Sequence, residues 1–357
     1  MADQTAIEWT DATWNPVTGC SVVSPGCTNC YAMRLAGTRL RHHPSRVGLT
    51  TDSKAGPVWN GKVRLNEGWL THPLRWTRPR RIFVCAHGDL FHESVPNAWI
   101  DRVFAVMALA PQHTFQVLTK RSTRMRAYLS SDETAGRLTR ALAYGIEGFG
   151  VLKVKNCDDG LHGFMLPNVW LGISAEDQRR ADERVPDLLA TPAAIRFVSA
   201  EPLLGPVDFT AIACPTGCQP PEYCNHCHPD GGEARGTFDA LATGNLDLII
   251  AGGENGPRPT HPTWVREIRD QCEAYKVDFF FKQWGTWEPR AWCRDGGTHA
   301  MNAFSGQISF QAIQSHPNSI ERVGAGDEWS AFARVGKKAA GRLLEGVEHS
   351  GMPEVRT

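Results

Sequence analysis

The chain has 357 residues, which is long enough to bury a substantial core as one α/β barrel or as two domains. Its 38 basic side chains balance its 38 acidic ones, which excludes a general polyanion-binding surface and leaves only local basic patches for nucleic acid. The N-terminus has no basic stretch followed by an apolar core, and no long apolar window follows, so we expect a soluble, cytoplasmic protein without membrane contact.

Short apolar runs alternate with helix-like segments along the chain. Near-continuous apolar runs are typical of parallel strands that are covered on both faces. In chain order, we predict strands at about 10–14, 82–85, 115–118, 169–173, 195–198, 246–251 and 277–281. We predict helices at about 96–110, 121–143, 176–190, 263–275 and 328–344. The alternation predicts an α/β fold, a partial (β/α) barrel of about six or seven parallel strands.

Two segments interrupt the alternation. Residues 211–245 contain CPTGCQPPEYCNHCHPDGG and are predicted to form a cysteine-rich insertion, whereas residues 288–326 are predicted to be irregular. We therefore expect a barrel over residues 1–287 that carries the insertion, with residues 288–357 as an irregular segment and a C-terminal helix packed on it.

Polar, ionisable side chains follow six of the predicted strands. The carboxyl ends of the strands of a (β/α) barrel gather on the face that carries the active site. Together these residues predict a functional rim, although any one of them can belong to a structural ion pair. They include Asp89, Lys120, Arg121, Ser174, Glu176, Ser199, Glu201, Glu254 and Lys282.

Two arginine-rich stretches are candidates for a local basic patch, residues 34–46 and residues 75–81. Either stretch can hold phosphate groups of a nucleic acid, and a solvated surface is the alternative for both.

Three of the eleven cysteines follow the first predicted strand. Cys20, Cys27 and Cys30 have six and two residues between them, a spacing that indicates metal ligands on the same rim. One interpretation is an iron–sulfur cluster held by three thiolates, with one iron open to a small molecule. The other is a structural zinc site with four protein ligands, for which the candidate fourth ligands are His42, His43 and Cys85.

Seven ordered motifs between about residues 8 and 287 carry a family resemblance. They are TWNPVTGC with its following GC-x-x-CYA, GDLFHE-x-VP, F-x-VLTKR-x-x-RM, WLGIS-x-E, S-x-EPLLGP, AGGE-x-G-x-RP and FFFKQWG. The chain resembles the radical S-adenosylmethionine (SAM) superfamily, and within it a phage-associated three-cysteine branch. It departs from the commonest pattern by a longer gap after Cys20 and by an aromatic residue, Tyr31, that follows the last cysteine.

The resemblance implies a [4Fe–4S] cluster on Cys20, Cys27 and Cys30, with SAM as the second cofactor. It implies cleavage of SAM to a 5′-deoxyadenosyl radical, with an electron donor such as flavodoxin or ferredoxin. It also implies that the protein is encoded by a phage, acts in the cytoplasm of the host and has a nucleotide or DNA as its substrate. An example is isomerisation of an amino-acid adduct on thymidine during phage DNA hypermodification.

The resemblance divides the polar strand ends by role. Carboxylates and hydroxyls suit the ammonium and ribose groups of SAM, so the expected cofactor-binding residues are Asp89, Ser174, Glu176, Ser199 and Glu201. The expected catalytic residues are Lys120, Lys282 and Glu254.

A second cysteine cluster lies in the insertion. Cys214, Cys218, Cys224 and Cys227 fall within fourteen residues, and four thiolates at this spacing are typical of a structural zinc site. A second iron–sulfur cluster is the alternative. The alternative for the whole protein is a non-catalytic, zinc-stapled nucleic-acid-binding or adaptor protein in which both cysteine clusters are structural.

Overall fold

A computed structural model describes residues 5–144, 165–219, 224, 227, 236–290, 299–302, 308–309 and 329–354. The chain divides into two compact units. The first comprises Met1–Ile173, Asp187–Phe197 and Glu354–Thr357, and the second comprises Ser174–Pro186 and Val198–Pro353. The fold is α/β, as predicted, with a seven-stranded parallel sheet that forms a half-barrel.

The chain up to residue 174 contains eight strands and five α-helices among the described residues. In order they are β1 (Ala12–Trp14), β2 (Val17–Thr18), α1 (Tyr31–Gly37), β3 (Thr50–Ser53), β4 (Gly56–Trp59), β5 (Arg64–Leu65), α2 (Glu67–Leu70), β6 (Arg81–Val84), α3 (Asn97–Ala108), β7 (Thr114–Thr119), α4 (Ser122–Leu129), α5 (Asp132–Tyr144) and β8 (Val169–Ser174). Two short 3₁₀ turns cover Pro25–Cys27 and His72–Arg75. Strands β1, β6, β7 and β8 pair in parallel, in that order.

The rest of the chain completes the parallel sheet and adds an antiparallel one. Its elements are α6 (Gln178–Leu189), β9 (Ile195–Ala200), β10 (Ile212–Ala213), β11 (Thr237–Phe238), β12 (Leu248–Gly252), α7 (Pro262–Tyr275), β13 (Asp278–Gln283), β14 (Trp287–Arg290), β15 (His299–Asn302), β16 (Ile308–Ser309), β17 (Trp329–Arg334), α8 (Lys337–Ala340), β18 (Leu343–Leu344) and β19 (Val347–Glu348). The order in the parallel sheet is β1-β6-β7-β8-β9-β12-β13.

All seven predicted strands are present in this sheet. Every residue of β8 and of β12 is buried, which explains why their sequences are apolar without the alternation of a half-exposed strand. The predicted helices at about 96–110, 176–190 and 263–275 are confirmed as α3, α6 and α7. None of the described helices is long and apolar enough to cross a bilayer.

The predicted helix at about 121–143 is two helices, α4 and α5. Ser131 precedes α5, and Asp132 and Glu133 occupy its first turn. A serine followed by acidic residues favours a new helix N-terminus, because it suits both the unpaired N–H groups and the helix dipole.

The predicted C-terminal helix at about 328–344 is wrong. Strand β17 occupies Trp329–Arg334 and pairs antiparallel with β14, while α8 covers only Lys337–Ala340. Gly336 and Gly341 flank α8 with φ angles of +88° and +67°, and such left-handed backbone interrupts a right-handed helix.

The segment at 288–326 is not wholly irregular either. Its described residues contribute β15, β16 and most of β14 to a four-stranded antiparallel sheet with the order β14-β17-β15-β16. The Gly-, Ser- and Asn-rich composition concealed these short strands, because such residues weaken the usual strand pattern.

One glycine in the first unit is required by close packing. The ring of Phe197, on β9, lies against Gly172 on β8, and a Cβ at residue 172 would be 2.4 Å from the Phe197 Cζ atom. Phe197 is fully buried, so the ring has little room to move away.

We expect Gly172→Ala to lower the free energy of unfolding by about 1–3 kcal/mol through overpacking. Gly136→Ala in α5 is the matched control, because a Cβ there meets nothing within 4 Å. Alanine is favoured over glycine inside a helix, so this control should raise the free energy of unfolding by about 0.5–1 kcal/mol. Denaturant unfolding followed by tryptophan fluorescence measures both, and equal stability of the two variants would contradict the packing account.

Candidate functional site

The loop after β2 carries the first cysteines at the carboxyl edge of the sheet. Gly19 pairs in parallel with Gly88, which extends the pairing of the β1 and β6 segments beyond the strands themselves. A Cβ on Gly19 would lie 2.2 Å from the Lys62 carbonyl oxygen, and its φ is +97°. Glycine is therefore needed here, and the pairing with Gly88 places Cys20 beside the loop that follows β6.

The three cysteines belong to one folded piece, residues 19–64, which we call the cysteine lobe. The Cys27 N–H donates to the Ser24 carbonyl at 2.9 Å, and the Cys30 N–H donates to the Cys27 carbonyl at 3.2 Å. Cys20 and Cys30 both pack against one apolar cluster, formed by Ala32, Met33, Ala36, Leu49 and Trp59. Helix α1 and the β3–β4 hairpin therefore support the thiols from one side.

Burial keeps the thiols of Cys20 and Cys30 protonated in the absence of a bound cation. It raises the pKa of Cys20 to about 12, and Asp89 raises it further while Arg121 lowers it. Burial also raises the pKa of Cys30, although the backbone N–H groups of Met33 and Ala32 partly oppose this. Cys27 adds to both increases. Metal binding at such thiols must release protons, since thiolates are the ligands.

A buried ion pair stands beside Cys20. Arg121 Nη1 lies 3.4 Å from Cys20 Sγ and 3.0 Å from Asp89 Oδ2, and both charged side chains are almost fully buried. Asp89 also accepts from the Thr119 hydroxyl at 2.7 Å and from the Lys120 N–H at 3.1 Å. Asp89 therefore anchors the guanidinium that faces the sulfur.

Further groups surround the same guanidinium. Arg121 Nη2 donates to Ser21 Oγ at 2.7 Å, and its Nε lies 3.4 Å from Glu93 Oε1. Burial lowers the pKa of Arg121, but Asp89, Cys20 and Glu93 more than offset this and raise the pKa above its ordinary value. His92 Nε2 lies 3.0 Å from the same Ser21 hydroxyl. Arg121 thus remains a fixed positive charge.

The candidate fourth ligands for zinc have other contacts. His43 Nδ1 lies 2.6 Å from Ser45 Oγ, and Cys85 is buried behind the end of β6. Among the described residues, only the four cysteines of the insertion form a group of three or more potential ligands within 4.8 Å of one another. In the described part of the chain, Cys20, Cys27 and Cys30 thus form neither a four-ligand shell nor a three-thiol group of the size that holds a single ion.

In the second unit, polar residues at the carboxyl ends of β9 and β13 contact one another. Lys282 Nζ lies 3.0 Å from Glu201 Oε1, and Ser199 Oγ lies 3.3 Å from Glu201 Oε2. Gly252 ends β12, which lies between β9 and β13 in the sheet, and a Cβ at residue 252 would be 2.5 Å from Glu201 Oε1. The missing side chain lets the Glu201 carboxylate cross β12 to reach β13.

The other predicted residues of the second unit are held in ion pairs. Glu176 is fully buried, 3.0 Å from Arg184, which also donates to the Ser174 carbonyl at 2.7 Å. Arg258 contacts both carboxylate oxygens of Glu254, with its Nε 3.0 Å from Oε2. Neither arginine was predicted, because Glu254 and Arg258 lie in a loop, where residues four apart need not be neighbours as they are on a helix.

The four cysteines of the insertion form a compact thiol group. The Cys218 and Cys227 sulfurs are 3.3 Å apart, those of Cys214 and Cys224 are 3.7 Å apart, and all four lie within 4.8 Å of one another. Tetrahedral zinc with Zn–S bonds of about 2.3 Å places its sulfurs about 3.8 Å apart. The group can therefore hold a metal ion such as zinc.

The four-cysteine group lies in a long connection between two strands of the parallel sheet. It lies in the connection between β9 and β12, where β10 and β11 pair antiparallel and the Cys214 N–H donates to the Gly236 carbonyl at 2.8 Å. The described residues of this connection contain no helix. A metal bound here would order a crossover that a helix orders elsewhere in the sheet.

A family model described as "Protein of unknown function (DUF5131)" matches residues 4–353. The chain belongs to this family. Comparison with curated proteins and with solved structures gives no significant match.

Arg121→Met should lower the free energy of unfolding by about 3–5 kcal/mol, because it leaves the buried Asp89 carboxylate without its cation. Adding Asp89→Asn to this variant should recover part of that stability. Arg126→Met is the control, since Arg126 pairs with Asp187 at 3.4 Å on the surface and should cost about 1 kcal/mol or less. Denaturant unfolding compares the three, and a similar destabilisation for both arginines would contradict the buried-pair account.

Cys224→Ser should remove the metal from the insertion, because a three-thiolate shell binds zinc far more weakly than a closed one. Elemental analysis of the purified chain should find about one zinc ion in the wild type and almost none in this variant. Cys272→Ser, at a buried thiol of α7, should keep the zinc. Equal zinc in both variants, or iron in place of zinc at this group, contradicts the assignment.

Proposed function

We propose that this protein is a radical SAM enzyme that holds a [4Fe–4S] cluster on Cys20, Cys27 and Cys30. The observation that carries the proposal is a lobe with three thiols at the carboxyl edge of a parallel half-barrel, beside the buried Arg121–Asp89 pair. Among the described residues, these thiols are not drawn together as the ligands of a single ion are. Three protein thiolates leave one coordination position for a small molecule. The ordered motifs that resemble the superfamily support the same assignment.

The residues of the cysteine lobe suit an iron–sulfur cluster. Thiolates are its ordinary ligands, and an apolar surface behind Cys20 and Cys30 limits access of water. The positive charge of iron would stabilise the thiolate forms of these buried cysteines. A cluster of eight atoms is larger than one ion, so its ligands need not crowd together as the four cysteines of the insertion do.

A bound cluster would supply the electron that breaks the sulfur–C5′ bond of SAM, with methionine and a 5′-deoxyadenosyl radical as the products. Arg121 faces the Cys20 sulfur and lowers the pKa of this thiol, although burial raises it more. Asp89 holds Arg121 in place, and its oxygens already accept from several donors. We therefore assign Asp89 a role in positioning the cofactor site through Arg121.

The remaining residues keep their predicted roles as parts of the proposal. Ser199 and Glu201 are the cofactor-binding candidates at the end of β9, and Lys282 forms an ion pair with Glu201 across 3.0 Å. Ser174 and Glu176 belong to the end of β8, where Arg184 orders both. Lys120, Lys282 and Glu254 are the candidates for proton transfer to a nucleotide or nucleic-acid substrate, such as an amino-acid adduct on thymidine that undergoes isomerisation.

Anaerobic reconstitution with iron and sulfide tests the proposal. The wild type should bind about four iron atoms per chain at the lobe and, with a reductant, convert SAM to 5′-deoxyadenosine. Cys20→Ala, Cys27→Ala and Cys30→Ala should each lose this iron and this activity.

Cys85→Ala is the matched control, because Cys85 is a buried thiol of the same unit outside the lobe. It should retain both the iron and the cleavage of SAM. A colourless wild type that carries zinc at both cysteine clusters and leaves SAM intact would instead support the adaptor protein.

A further inference from the structure

The cysteine lobe is strongly basic within a neutral chain. Residues 19–64 contain seven basic side chains and one acidic side chain, a formal excess of +6, whereas the whole chain has a net charge of zero. The acidic residue is Asp52. The rest of the chain must carry a matching negative excess, so the positive charge is concentrated around the three thiols.

Much of this charge faces solvent. Arg34, Arg39, Lys54 and Lys62 are exposed, and none of them pairs with a carboxylate within the part of the chain that the structure describes. Arg41 pairs with Asp52 at 3.8 Å, and Arg46 is buried beside the Trp69 ring. Exposed cations without local carboxylate partners are available to an external polyanion.

The second arginine-rich stretch lies at the opposite edge of the sheet. Residues 75–80 come directly before β6, whose first residue, Arg81, pairs with Thr114 at the start of β7. They therefore lie at the amino edge, whereas the cysteines follow the carboxyl ends of the strands. Only the stretch at 34–46 is close to the thiols in the chain and in the fold.

A groove of about 530 Å³ opens on the cysteine lobe and is lined by Lys62, Ser94 and Trp99, among others. Arg64 also lines it, with its guanidinium bound to the carbonyls of Pro44 and Val47 at 2.6 and 2.8 Å. Outside the groove, Tyr31, next to Cys30, is 48% exposed. Within the groove, Lys62 and Arg64 share the lining with Trp99, and cations beside an aromatic ring suit a strand of nucleic acid, because the cations bind phosphates and the ring stacks on a base.

We propose that the cysteine lobe is a nucleic-acid-binding surface that holds the phosphate backbone of a polymeric, single-stranded substrate beside the three thiols. This inference rests on the proposed function, from which it takes the role of the three thiols. It adds that the substrate is a polynucleotide and not a free nucleotide. A free nucleotide carries its phosphates together at one end, whereas a polynucleotide carries one at every nucleotide and can neutralise several separate cations such as Arg34, Arg39, Lys54 and Lys62.

Salt-dependent binding of a fluorescein-labelled single-stranded DNA oligonucleotide, measured by anisotropy on the full chain, tests the inference. The double variant Arg39→Gln, Lys62→Gln should weaken binding. It should also reduce the slope of log affinity against log salt concentration by about 1.4, which is ~0.7 for each of the two phosphates that are no longer neutralised. Arg75→Gln with Arg78→Gln removes the same charge at the opposite edge and should leave both affinity and slope close to the wild type.

Equal effects of the two double variants would overturn the inference, because binding would then follow total charge. Failure of the wild type to bind the oligonucleotide would also overturn it. The inference would fail as well if an acidic flavodoxin bound to the lobe and the oligonucleotide did not displace it. Circular dichroism of each variant confirms that the exposed substitutions leave the fold intact.

The two proposals fail separately. A chain that cleaves SAM but binds no oligonucleotide contradicts this inference and leaves the radical SAM chemistry standing. A chain that binds the oligonucleotide with the expected slope but assembles no cluster supports the lobe as a nucleic-acid surface and contradicts the enzyme.

Discussion

The contact between Arg121 and the Cys20 sulfur is the interaction on which the site depends. It joins the loop after β2, the loop after β6 and the end of β7, because Arg121 also binds Asp89, and Asp89 binds Thr119. A buried carboxylate and a buried guanidinium are stable only as a pair. The same Arg121 charge lowers the pKa of Cys20 against the larger, opposing effect of burial, so the folding of these three segments also places a cation beside the sulfur.

The two cysteine clusters differ in how their sulfurs are held. The four thiols of the insertion come within 4.8 Å of one another, which suits a single ion in a connection that has little apolar surface of its own. The three thiols of the lobe rest on an apolar cluster with α1 and a hairpin, so this part of the chain has its own core. A metal bound in the insertion would therefore add order there, whereas the lobe has an apolar core without one.

Local patterns predicted the parallel strands well, because each strand is buried on both faces and its sequence is accordingly apolar. They failed at residues 328–344, where an amphipathic pattern concealed strand β17 and two glycines with positive φ. The three cysteines were placed on the correct edge from their position after the first strand. Their partner Arg121 was not predicted to face Cys20, since an interaction across 101 residues leaves no local signal. Exposure of Arg39 and burial of Arg46 were likewise set by tertiary packing.

Electron paramagnetic resonance of the reduced, reconstituted chain tests the central claim most directly. A cluster held by only three protein thiolates has one iron that can bind SAM, so adding SAM should change the spectrum. Cys85→Ala should show the same change as the wild type. A spectrum that SAM leaves unaltered would mean that all four irons have protein ligands or that no such cluster forms, and it would contradict the account.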